Sequence, residues 1–281
     1  MARLSGKRRT DGPATGFAQH SDDSIQFQAG FMQDEAYLIN FSFEDDHWWF
    51  VGRRRIVLDR IKLIFPTGVS SKSALDFGCG TGKMLQCMRS FERVAGIDAS
   101  DTSLDYCRRR GLTNVMKDEV FFRENPAARF DLVTMLDVLE HIPDEQSVLQ
   151  KIHGLLDEDG ALLITVPAYD FLWGDEDILS NHVRRYSRKR LEEVVDAAGF
   201  TVTFASHFNF FLLPVISAVL LAKRVFSRGK PPTSNVKPVP RVFNQCLTMI
   251  LTFESWLLRR IKLPMGASLI LYAKKKAALH Q

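Results

Sequence analysis

The sequence predicts an α/β fold with a largely parallel sheet, and three observations carry that expectation. Short apolar runs end in acids at Asp76, Asp98 and Asp137. Segments of helical character separate these runs. Three glycines, Gly78, Gly80 and Gly82, follow the first run at every second position. Strands alternating with helices imply parallel pairing with right-handed crossovers, and a ligand at the carboxyl ends of the strands.

The elements follow in order. Residues 73–77 read as a buried strand, and 78–82 as a turn in which the backbone itself approaches a ligand. A helix from Lys83 then presents its N-terminus to that ligand. A second strand, 94–98, ends in Asp98, eighteen residues beyond Gly80. A carboxylate there accepts hydrogen bonds from the hydroxyls of an adenosine ribose. A third strand is expected at 114–119, ending in Asp118 and Glu119, a fourth at 130–137 and a fifth at 160–167. Helices are expected at 101–110, 144–155 and 187–198, the last closing on Gly199.

Residues 75–82 (Leu-Asp-Phe-Gly-Cys-Gly-Thr-Gly), 96–100, Asp118 and 131–143 (Asp-Leu-Val-Thr-Met-Leu-Asp-Val-Leu-Glu-His-Ile-Pro) together resemble a class I S-adenosylmethionine-dependent methyltransferase. The chain is most similar to the group that includes the ubiquinone-biosynthesis methyltransferases, over about residues 45–208 and 264–276. That resemblance implies a Rossmann-like seven-stranded sheet, with S-adenosyl-L-methionine as cofactor. It places Asp76, Gly78 and Gly80 at the methionine part, Asp98 at the ribose, and Asp118 with Glu119 at the adenine amine. Leu136 and Asp137 line the pocket after the fourth strand, and Cys79, Gly82 and Ala99 complete the donor-binding set.

Composition bounds the class. With 281 residues, 46% apolar and 25% charged, the chain holds a proper core. Four cysteines without paired or metal spacing read as reduced thiols of a cytoplasmic protein. Lys7, Arg8 and Arg9 precede no apolar run, so no signal peptide is expected. Residues 1–24 read as a disordered tail and 25–65 as an N-terminal helical lid. Residues 66–208 and 264–276 form the donor-binding domain, and 209–263 a hydrophobic and basic helical insertion between the last two strands.

Charge is polarised along the chain. From Lys223 onward there are 12 lysines and arginines against one acid, Glu254, whereas residues 1–222 carry 25 against 32 acids. Residues 208–222 are uncharged, a Pro-rich break covers 229–240, and 242–262 reads as a second helix ending in Arg259, Arg260 and Lys262. An uncharged run of 15 is short of the roughly 18–20 residues that span a bilayer. It fits a helix lying in an anionic membrane surface, placing the protein peripherally at the inner face of the membrane. A hairpin packed on the domain, or a dimer face, is the alternative. Nucleic acid is an unlikely partner, because the cations sit beside aliphatic rather than stacking side chains.

Methyl transfer to a hydroxyl needs a positioned base. Asp137, Glu140 and His141 are spaced to share one helical face, and His182 lies beyond the fifth strand on the opposite lip of the crevice. His141, His182 and Tyr186 are the candidate catalytic residues. Asp137, Glu140, His141 and His182 could together hold a divalent cation. Some relatives with an acid-x-x-Glu-His element bind one, but Asp137 is shorter than their glutamate, and no metal is expected. Trp48, Trp49, Arg53 and Arg185 are candidate acceptor contacts. No Asn-Pro-Pro-Tyr-like element follows the fourth strand, which excludes base methylation of that kind. The expected acceptor is a hydroxyl or carbon of a hydrophobic or lipid-linked molecule. A soluble-metabolite O- or N-methyltransferase, an NAD-dependent oxidoreductase and a non-catalytic binding module are the rivals. The single glycine turn and the lack of an extended second half disfavour NAD.

Overall fold

The computed structural model describes residues 34–226 and 231–276. The expected tail, the first part of the lid and residues 227–230 lie outside them. Two helices come first, α1 (Asp34–Phe43) and α2 (Trp48–Ile64). The central alternation is β1 (Ser73–Phe77), α3 (Lys83–Cys87), β2 (Arg93–Asp98), α4 (Asp101–Arg109), β3 (Val115–Lys117), α5 (Asp118–Glu124) and β4 (Phe130–Leu136). It continues with α6 (Glu145–Leu155), β5 (Leu156–Pro167), α7 (Asp175–Leu179), α8 (Arg188–Ala197) and β6 (Phe200–Phe208). Two further helices, α9 (Leu213–Phe226) and α10 (Arg241–Leu258), precede β7 (Ser268–Lys275).

The strands form one seven-stranded sheet in the order β3-β2-β1-β4-β5-β7-β6. β1 to β5 pair in parallel, and β7 runs antiparallel between β5 and β6. The fold class is the one the sequence predicts, α/β with a Rossmann-like sheet. Its order reverses between β1 and β4, which opens a crevice at their carboxyl ends. The parallel strands are apolar on both faces because helices cover both: Leu132, Val133 and Met135 in β4 are fully buried.

Helix starts were readable from capping chemistry. The hydroxyls of Ser100 and Ser187 and the carboxylate of Asp144 accept the amides of Ser103, Arg190 and Ser147. The third strand is shorter than expected. Asp118 and Glu119 do not end it but open α5, where acids suit the positive end of the helix dipole. The insertion also starts later than its uncharged run. Phe208 stays in β6, and Pro214 sits in the first turn of α9, where a missing amide costs nothing.

The two inserted helices take different seats. α10 packs on α2, where Gly52 admits Leu251; a Cβ at Gly52 would lie 2.3 Å from the Leu251 Cδ1. Buried Asp59 of α2 accepts the Ser255 hydroxyl at 2.8 Å and the Arg259 guanidinium at 2.8 Å. Glu254, fully buried, accepts the Asn209 and Phe211 amides at 2.6 and 2.9 Å. The only acid beyond Lys223 thus ties the entry of α9 to α10. α9 itself buries no residue. Among the described residues, no helix is long and apolar enough to cross a membrane.

Candidate active site

The three glycines all have positive φ (72°, 54° and 83°), but an added side chain would meet different surroundings at each. A Cβ at Gly78 would strike the Val138 Cγ2 at 2.5 Å, and one at Gly82 the Leu112 Cδ1 at 2.5 Å. A Cβ at Gly80 would meet nothing within 4 Å, because it points into open cavity. Gly82 therefore serves packing rather than the ligand; it does not line the cavity. The backbone amides are also committed differently from expectation. Those of Gly78 and Cys79 donate to the Ile97 carbonyl, and that of Gly80 donates to the Asp98 Oδ2 at 2.8 Å. The Gly80 amide thus holds the Asp98 carboxylate in place at the end of β2.

Asp76, Asp98 and Asp118 are buried and line one cavity with Gly78, Gly80, Ala99, Leu136 and Asp137. Burial raises all three carboxyls above the usual range, Asp76 to about 7. Three buried acids facing an open cavity suit a ligand bearing ammonium and hydroxyl donors. Glu119 is exposed and points elsewhere, so the expected acid pair reduces to Asp118. Cys79 turns its thiol onto Cys107, 3.9 Å away, and that contact with burial pushes it well above the normal thiol range. It is a packing residue whose backbone borders the cavity.

The N-terminal helices close over this site. Buried Glu44 binds the Thr81 hydroxyl and the Arg110 guanidinium, tying the end of α1 to the glycine turn. Arg53 of α2 pairs with Asp137, whose other oxygen accepts the Thr165 hydroxyl at 2.9 Å. Trp48 and Trp49 line the wall, with Trp49 stacked on Phe208 at 6.0 Å. The sequence named Arg53 and the tryptophans but not Glu44; its signal is the acid four residues before Trp48.

Asp137 lies in the left-handed region (φ 57°), so the helical face expected for Asp137, Glu140 and His141 does not form. Only a short 3-10 turn, Leu139–His141, follows it. That turn sets Glu140 and His141 beside His182, and the ligand atoms of these three lie within 4.8 Å of one another. Asp137 is not of that group, because Arg53 and Thr165 occupy its oxygens. Glu140 is fully buried, and neither carboxylate oxygen has a hydrogen-bond partner, the His182 Nε2 lying 3.9 Å from Oε1. Burial, reinforced by Asp137, holds its carboxyl well above the ordinary range. Burial, then the neighbouring His182, lowers His141 to about 4.

His182 and Arg185 share one carboxylate that the sequence reading missed. Asp177, fully buried, lies 2.8 Å from the His182 Nδ1 and accepts the Arg185 Nε and Nη2, each at 2.8 Å. Burial opposes its charge, but these partners outweigh it and hold it at about 2. The signal was an acid five and eight residues ahead of the two named side chains. Tyr186 is a correction. It is fully buried outside the cavity, and its hydroxyl donates to the Glu145 Oε2 at 2.6 Å. Burial and that carboxylate raise its pKa, so it serves to hold α6 and not as a catalyst.

Asp76, Asp98, Asp118, Arg53, Asp137, Glu140, His141, His182 and Arg185 border a single cavity of about 930 Å³. One end is the glycine turn with its acids. Beyond His141 and His182 the walls become apolar: Ile142, Leu179, Leu212, Val215, Ile216, Val219, Leu220 and Leu247. Most of that second wall belongs to the insertion.

A protein-family model described as a methyltransferase domain matches residues 50–204. A ubiquinone biosynthesis O-methyltransferase of Actinobacillus pleuropneumoniae is 34% identical over 109 residues, covering 35% of this chain and 47% of that protein. A namesake from Bordetella pertussis is 31% identical over 147 residues, covering 47% and 60%. The chain spans about half the length of the curated relatives it matches. A putative sarcosine dimethylglycine methyltransferase from Galdieria sulphuraria shares the fold with a TM-score of 0.54 at 18% identity, over 87% of this chain and 98% of that one. A SAM-dependent methyltransferase from Archaeoglobus fulgidus gives 0.51 at 18%, over 85% and 99%.

Proposed function

Because the chain belongs to the methyltransferase-domain family of class I S-adenosylmethionine-dependent methyltransferases, we propose that it transfers the methyl of S-adenosylmethionine to a hydroxyl of a hydrophobic or lipid-linked acceptor, working against a membrane surface. The observation that carries this reading is the single cavity, acidic at the glycine turn and apolar under α9. At about 930 Å³ it is at the upper end of ligand pockets, with room for a donor and the reacting part of an acceptor.

In this reading Asp98 holds the ribose, Asp118 the adenine amine and Asp76 the ammonium of the methionine part. His182 is the base. Asp177 holds its Nδ1 at 2.8 Å, and Nε2, which lies 3.9 Å from the Glu140 Oε1, takes the acceptor hydroxyl proton. As the carbon–sulfur bond breaks and the carbon–oxygen bond forms, the sulfonium charge is neutralised and the proton passes to Nε2. Most of the barrier is removed by holding the reactants in line. The unpartnered oxygens of Glu140 favour one variant, in which Glu140, His141 and His182 hold a divalent cation that polarises the hydroxyl. Loss of activity in EDTA, restored by added metal, selects that variant.

The membrane part of the reading is supported by the polarity of the charge and by the exposed apolar side chains of α9 and α10. Each exposed cation contributes about 1 kcal/mol at an anionic surface, so several give reversible binding.

Incubation with methyl-labelled donor and a whole-cell extract, followed by chloroform–methanol partition, tests the proposal. Label is expected in the organic phase. Label confined to the aqueous phase supports the soluble-metabolite rival, and donor binding with no label anywhere supports a non-catalytic module.

A pH dependence follows from Asp76. With its carboxyl at about 7, against 3.8 ordinarily, the empty fold prefers it neutral. The stability this gives is present below 3.8 and is lost as pH rises through about 7. An ammonium ligand prefers it ionised. Affinity for S-adenosylhomocysteine is therefore expected to rise about tenfold between pH 6 and pH 8 by calorimetry, and Asp76→Asn is expected to flatten that rise.

A further inference from the structure

We propose that α9 is a lid over the apolar end of the cavity, that its outer face seats on an anionic lipid bilayer, and that seating unlatches it. This rests on the reading of a membrane-supplied acceptor and names how that acceptor enters. α9 is apolar on both sides. One stripe, from Val215 through Ile216 and Val219 to Leu220, borders the cavity. The opposite side presents Leu221 and Val225, which are 62% and 60% exposed. A helix apolar all round requires cover that this one lacks: α9 buries no residue, and Val215 and Val219 on the cavity side are themselves 60% and 49% exposed, so the lid is loosely seated. The outer patch continues onto α10: the Phe211 ring lies 5.8 Å from Phe253, which stacks on Trp256 at 5.7 Å.

Charge identifies what covers this patch. Exposed Lys237, Arg241, Arg260 and Lys262 lie in the insertion, and its sole acid, Glu254, is buried. A second copy docked through the same patch would oppose cation to cation. Anionic headgroups complement it, with aromatic side chains at the boundary. The helix is too short to go deeper.

The two ends of the lid are fastened unequally. At its entry the amides of Asn209 and Phe211 are held by the buried carboxylate of Glu254. At its exit the fastening is polar and partly exposed. The Lys223 ammonium lies 3.1 Å from the Asp175 carboxylate, and Arg224 donates to the Phe171 and Trp173 carbonyls at 2.6 and 2.8 Å. The segment after α9 joins the same latch: the amides of Thr233 and Asn235 donate to Asp175 and Glu176 at 3.3 and 2.8 Å. Glu176 borders the cavity, so parting this seam opens the acceptor end. Headgroup phosphates offer Lys223 and Arg224 the same kind of partner that the loop does, and so compete for them.

Amide exchange in the peptide 231–236 reads the latch directly. In the full chain, vesicles of phosphatidylcholine with phosphatidylglycerol are expected to accelerate it at least tenfold, and phosphatidylcholine alone to leave it unchanged. Lys223→Gln is expected to accelerate it without vesicles. Val225→Glu, at a 60% exposed position, is expected to abolish flotation with anionic vesicles while keeping the wild-type melting temperature. Flotation on anionic vesicles with unchanged exchange, or no flotation, overturns the proposal. Methyl incorporation measured on the same preparation separates this from a failure of the functional reading: incorporation with an unresponsive latch refutes only the lid.

Discussion

Gly80→Val is expected to reduce affinity for S-adenosylhomocysteine by more than about 100-fold while lowering the melting temperature only modestly. The added Cβ meets no protein atom within 4 Å, so the fold accommodates it, but it projects into the space the donor must fill. The remaining cost to the fold is the left-handed backbone at φ 54°, about 1–2 kcal/mol for a side-chain-bearing residue. Gly82→Val is the control with the opposite signature. Its side chain would drive into Leu112 and the Cys107 sulfur, at 2.5 and 2.8 Å, so the loss falls on stability, of the order of 1–3 kcal/mol from overpacking alone. Thermal unfolding and calorimetry on the two variants distinguish a ligand-facing glycine from a packing one. Equal binding losses at equal stability would remove that distinction.

His182→Ala is expected to lower methyl incorporation by about 100- to 10,000-fold, the range contributed by a positioned base, with donor binding unchanged. Asp177→Asn is expected to fall on the same side for a different reason. The amide cannot fix the imidazole tautomer through Nδ1 as the carboxylate does at 2.8 Å, and it also weakens the fork from Arg185. Tyr186→Phe separates catalysis from architecture. It removes a buried hydroxyl bond to Glu145 and is expected to cost about 1–3 kcal/mol of stability with little change in the rate of the folded enzyme. A rate loss for Tyr186→Phe comparable to that of His182→Ala would contradict the assignment.

The sheet was legible because parallel strands covered on both faces are predominantly apolar, as the runs 130–136 and 160–166 are. Helix starts were legible wherever a side-chain oxygen caps them, as at Ser100, Asp144 and Ser187. The misplacements have local causes. Acids that end a strand and acids that open a helix read alike, which hid the start of α5 at Asp118. The uncharged run 208–222 did not show where its helix begins, because Pro214 suits a first turn and Phe208 stays in β6.

The donor end of the site was largely visible, since the glycine spacing and Asp98 are local signals on consecutive elements. The chemistry beside it was less so. Asp177 sits on the short helix α7, and the chain turns after it to bring His182 and Arg185 back against its carboxylate, a contact that periodicity does not report. Glu44 reaches Thr81 and Arg110 across most of the nucleotide-binding half, so its role exists only in three dimensions. Tyr186 was misassigned because a tyrosine beside a histidine and an arginine suggests a site, whereas burial of its hydroxyl on Glu145 decides the matter. The insertion was visible as composition alone, and the separate seats of α9 and α10 depend on Gly52, Asp59 and Glu254.

The account depends on an adenosyl ligand held at the end of β2, and one titration tests it most directly. S-adenosylhomocysteine injected into the wild-type chain is expected to bind at one site, Asp98→Ala to weaken that binding by at least about 100-fold, and NAD to give no heat. Undiminished binding in Asp98→Ala, or heat from NAD with none from S-adenosylhomocysteine, would contradict it.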